Sequence, residues 1–141
     1  MKLKIALIIL FVIPSIGFAQ IDCSKLLTGS FEIKTDFGNV LVQRFKGFQL
    51  EKFIEYGVIY LYKIEQINDC EYILKIQKVI SKGDFPSPDI NQSILVKVYE
   101  RTENAYYYQS TESSTQIKMD GIIEKKSNSV SDEFKDMLQS Q

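Results

Sequence analysis

A chain of 141 residues with 17 Lys and Arg against 18 Asp and Glu is close to neutral, and it contains no histidine, the commonest general base and metal ligand near pH 7. Its densest charged cluster, Glu124-Lys125-Lys126, is mixed in sign, which excludes nucleic-acid binding by phosphate neutralisation. It has no glycine-rich phosphate loop, Walker pattern or Gly-x-Ser-x-Gly elbow, so the sequence predicts no enzyme, no cofactor and no metal site.

Lys2 and Lys4 open the chain, an apolar run follows over residues 5–13, and Pro14-Ser15 breaks it. Gly17-Phe18-Ala19 then places small residues three and one positions before a cut ahead of Gln20. That is the layout of a secretory signal peptide over residues 1–19, too short to persist as a membrane anchor. The expected mature protein is exported, periplasmic or secreted, and has no integral membrane segment. It is mildly acidic, and at roughly 120 residues it suits one domain that buries about two-thirds of its unfolded surface.

Cys23 and Cys70 are the only cysteines, and an oxidising compartment allows them one pairing. The bridge would close a loop of about 48 residues, which the chain-entropy estimate values at about 4 kcal/mol. The rival role is Cys23 as the acylated first residue of a lipoprotein, for which Asp22 stands where a small residue is required. If the cysteines are bridged, no thiolate remains for catalysis or zinc.

From residue 29 onward the sequence alternates with the period of a strand. Cys70, Tyr72, Leu74 and Ile76 share one face; Ile94, Val96 and Val98 share another. Turn signals at 36–39, 46–47, 55–57, 68–69, 102–104 and 111–115 separate eight predicted strands: 29–35, 40–45, 48–53, 57–67, 70–80, 93–101, 105–110 and 116–125. Residues 81–91, with Gly83, Pro86 and Pro88, form the one long loop. The fold class is therefore all-β, an antiparallel up-and-down meander forming a small closed or half-open barrel over residues 20–126. Residues 127–141 are a polar tail or a short helix over a barrel opening, capped by Ser131, with Phe134, Met137 and Leu138 on one face.

The candidate ligand-binding residues are Arg44, Tyr60, Tyr72, Tyr106 and Tyr108. Tyrosines can line an amphipathic cavity or simply fill a small barrel, and an eight-stranded interior has room for either. Arg44 could meet a ligand carboxylate, but a surface pair with Glu51 on the neighbouring strand is the simpler expectation. Asp84 and Asp89 in the long loop read as solvated turn residues rather than calcium ligands.

With Cys23, Gly29-Ser30-Phe31, Arg44, Gln49-Leu50-Glu51, the run from Asn68 to Leu74 and Gly121 in view, the chain resembles a group of small exported proteins of Flavobacterium-type bacteria. Many of that group carry an automatic label of DNA topoisomerase IV. The resemblance covers residues 23–125 and departs where the group often has Trp before its Asn-Asp-Cys stretch; Tyr62 or Ile64 stands there. It implies a compact β protein with both cysteines in place, for which small lipocalin-like barrels are the architectural analogy. The topoisomerase label implies a large ATP- and magnesium-dependent assembly, for which this acidic exported chain has no framework. The expected function is an exported, non-enzymatic protein that binds a small amphipathic ligand. The alternative is an envelope module with a filled core that binds a protein partner.

Overall fold

The computed structural model describes residues 20–140; the expected signal segment, residues 1–19, lies outside them. Eight strands follow in chain order: β1 (Gly29–Thr35), β2 (Gly38–Phe45), β3 (Phe48–Phe53), β4 (Val58–Asn68), β5 (Glu71–Lys82), β6 (Ser93–Arg101), β7 (Ala105–Glu112) and β8 (Lys118–Ser127). Each pairs antiparallel with the next, and β1 pairs with β8, so the meander is a closed barrel. The hairpin between β2 and β3 illustrates how local sequence sets register. Lys46 and Gly47 both hold positive φ, 50° and 78°, which matches the primed two-residue turn whose twist suits flanking strands. The pairing that results places Arg44 directly opposite Gln49.

The two ends of the barrel differ. At the base, the segment before β1 turns through a short 3-10 turn, Ser24–Leu26, and buries Cys23 and Leu26 beneath Phe31, Val42, Tyr106 and Ile123. Cys23 is bonded to Cys70 in the β4–β5 turn, with an S–S distance of 1.96 Å and Cα atoms 5.2 Å apart. Three cations from the wall hold this plug by its carbonyls: Arg44 reaches Leu26, Lys125 reaches Lys25 and Thr28, and Arg101 reaches Asp22. At the mouth lie the β1–β2, β3–β4, β5–β6 and β7–β8 connections. There β5 pairs with β6 only from Glu71 to Lys75, so its remainder follows β4 alone and leaves a slit in the wall.

Beyond β8, α1 (Asp132–Gln139) is capped by the Ser131 hydroxyl, which accepts from the Phe134 amide at 3.3 Å. Its position corrects the expectation of a helix over an opening. Phe134, fully buried, and Val130 pack against Leu50 and Leu61 on the outer face of β3 and β4, with Phe45, Phe48, Met137 and Leu138 around them. Phe45, Phe48, Leu50, Ile59 and Leu61 make an apolar stripe on the outer face of β2–β4, and such a stripe on a barrel wall is stable only when covered.

Candidate functional site

Inside the barrel lies a cavity of about 240 Å³, lined from β1 round to β8 by residues that include Ile33, Phe53, Leu74, Ile94, Val96 and Ile123. Its polar side chains include Arg44 on β2, Gln49 and Glu51 on β3, Tyr62 on β4, Tyr72 on β5 and Tyr108 on β7. Towards the mouth, Phe53 also lines a second, larger cleft of about 480 Å³ with Phe37, Tyr56, Val58, Tyr60, Phe85 and Pro86. That cleft is almost wholly aromatic and aliphatic. Phe53 meets Tyr60 edge-on at 6.5 Å, and Tyr56 meets Phe85 at 5.2 Å.

Arg44 is only 3 % exposed and points inward, so the expected surface pair with Glu51 does not form. Its place follows from strand parity: Val40, Val42 and Arg44 share one side of β2, and that side is the interior. The guanidinium donates from Nε to Gln49 Oε1 at 2.6 Å, from Nη1 to the Leu26 carbonyl at 3.1 Å and from Nη2 to the Tyr72 hydroxyl at 2.6 Å. It also lies over the Tyr72 ring at 4.7 Å and the Phe31 ring at 5.4 Å. Gln49, 1 % exposed, passes the chain on, donating from Nε2 to Glu51 Oε1 at 2.5 Å.

Burial pushes the Glu51 carboxyl above its ordinary range, against the opposing pull of the Gln49 hydrogen bond, the Arg44 charge and the Tyr62 hydroxyl. Burial likewise holds the Tyr62 phenol well above its usual value, with the Glu51 charge adding to it, and pushes Tyr108 up to about 12. A carboxyl raised in the folded chain binds its proton more tightly there than when unfolded. The stability that follows is complete below the ordinary value of 4.5 and is lost as pH rises through the folded value. Glu51→Gln, of the same shape but never charged, should therefore melt like the parent near the acid end. Its advantage should grow as pH rises towards about 8. Thermal melts across that range check this, and an advantage that shrinks with rising pH contradicts it.

Of the five candidate residues, Arg44, Tyr72 and Tyr108 line the inner cavity and Tyr60 lines the mouth cleft. Tyr106 does neither: it is fully buried against Phe31 and the Cys23 plug, with the Arg101 guanidinium 5.6 Å from its ring. Gln49, Glu51 and Tyr62 were missing from the candidates. The signal for them was the Lys46-Gly47 turn, which sets Gln49 opposite Arg44 and hence Glu51 two residues on along the same face.

Gly121 sits directly across from Tyr108, and the Tyr108 ring occupies the place where a Cβ would stand. An added methyl has to displace the phenol end of Tyr108, and the space beside it is the cavity. Gly121→Ala is thus expected to keep the barrel folded, at a cost of about 1–3 kcal/mol, while closing the interior to ligand. Denaturation and probe binding measured on one sample check both halves of this.

Comparison with protein-family models, with curated proteins and with solved structures found no match to the chain.

Proposed function

We propose that this chain is an exported, non-enzymatic binding protein that holds one small amphipathic molecule inside its barrel, a lipocalin-like container. The observation that carries this reading is the interior cavity itself: apolar walls, a cluster of polar groups and an aromatic cleft leading outward. A barrel meant only as a solid block has no need of a polar cluster whose burial is unfavourable without partners. Export is supported by the disulfide, since such bonds persist in oxidising compartments. No helix among the described residues is long and apolar enough to cross a membrane. Titration with the neutral fluorophore phenylnaphthylamine tests the reading. One saturable site per chain is expected, weakened at least about tenfold in Gly121→Ala; unsaturable or variant-insensitive emission contradicts it.

The alternative, an envelope interaction module, draws on a different feature. Large apolar side chains stand exposed on all four mouth connections: Phe37, 75 % exposed, Ile54, Ile90 and Ile117 among them. This reading predicts a crosslinked partner in envelope extract that Phe37→Ser and Ile54→Ser release, and it fails if crosslinking recovers the chain alone.

A further inference from the structure

The cavity holds one permanent cation and one carboxyl, and they do not touch. Gln49 stands between them, accepting from Arg44 and donating to Glu51. The three hydrogen bonds that the guanidinium donates all go to uncharged acceptors. Arg44 makes no ion pair among the described residues. A buried cation without a counter-charge is unfavourable, and an arriving anion relieves that.

We propose that the occupant of the barrel is a monoanion with an apolar body, a carboxylate whose head bonds to Arg44, Tyr72 and Tyr108 and whose chain lies along Leu74, Ile94 and Val96 towards the Phe53–Tyr60 mouth. This rests on the binding reading above and adds the charge of the ligand. Donors are at hand for it. A guanidinium has five N–H groups, three of which are engaged here, which leaves two for a carboxylate. The Tyr72 oxygen accepts from Arg44, so its own proton is free to be donated, and Tyr108 lines the same space.

Glu51 then acts as the balancing group. It faces Arg44 from β2, Tyr60 and Tyr62 from β4 and Tyr108 from β7, and Tyr72 from β5 adjoins Tyr108. Burial favours the protonated, uncharged forms of Tyr60, Tyr62, Tyr108 and Glu51 alike, and Glu51 is the only carboxyl that lines the cavity. A bound carboxylate repels a second negative charge in the same cavity and holds the proton on Glu51. Binding of the anion is therefore coupled to retention or uptake of one proton, and it tightens as pH falls.

The test is calorimetric titration of the intact chain with three probes of equal chain length: octanoate, octanol and octylamine. We expect one octanoate per barrel, bound roughly ten- to a hundredfold more tightly than octanol, with octylamine weakest. Octanoate should bind more tightly at about pH 6 than at about pH 8, with proton uptake visible in buffers of different ionisation heat. Glu51→Gln should still bind it, with that pH dependence flattened. Octanol binding as well as octanoate, octylamine binding best, or octanoate binding that weakens as pH falls overturns the charge assignment and leaves the container standing. Binding of none of the three overturns the container as well.

Discussion

Reduction of the Cys23–Cys70 bond, or its replacement by two serines, is expected to lower the midpoint of thermal unfolding by about 10–20 °C. The bond spans a sequence separation of 47, and a loop of that length contributes about 4 kcal/mol through the entropy of the unfolded chain. It also pins the plug to the β4–β5 turn, whose Cys70 carbonyl accepts from the Val98 amide at 2.8 Å. Loss of the bond therefore loosens the base of the barrel first, where Cys23 and Leu26 cover Phe31 and Tyr106. Melts with and without reductant measure this directly, and an unchanged midpoint contradicts it.

Phe134→Ala should be the most damaging single truncation on the outer wall, with a loss of about 3–5 kcal/mol in chemical denaturation. The ring is fully buried between α1 and the outward faces of β3 and β4, and its removal leaves a cavity facing Leu50 and Leu61. The polar contacts of this junction hold little by comparison: the Ser131 amide donates to Gln43 Oε1 at 2.7 Å, and Lys52 meets Glu133 at 3.2 Å near the surface. Lys52→Ala is expected to change stability by less than about 1 kcal/mol. If the two substitutions have equal effects, the helix is not held by its apolar face.

Strand order, and strand limits to within two residues, were legible in the sequence because turn chemistry and period-two alternation are local properties. Residues 38–39 and 111–112, read as turn, extend β2 and β7. The Lys46-Gly47 turn, the Asn68–Cys70 corner and the Ser131 cap each specify their geometry within a few residues. The pairing of Cys23 with Cys70 was legible as well, since two cysteines allow one bond. What escaped was the direction in which β2–β4 face. Their inward side carries Val40, Val42 and Arg44, but their outward side carries Phe45, Leu50 and Leu61, because α1 covers it. Two apolar faces on one strand set leave alternation without a sign, so Arg44 read as a surface residue and Glu51 as its partner. Tyr106 and Tyr108 share a face, yet one packs under the plug and the other borders the cavity. That distinction depends on which barrel end is closed, and chain closure is a long-range property.

The most direct measurement of the central claim is a methyl-resolved NMR titration with octanoate. The account predicts saturable shifts, one ligand per chain, at the interior methyls of Ile33, Leu74, Ile94, Val96 and Ile123, with Leu50 and Leu61 under α1 unmoved. Shifts confined to Leu50, Leu61 and the helix, or none at saturating ligand, would contradict it.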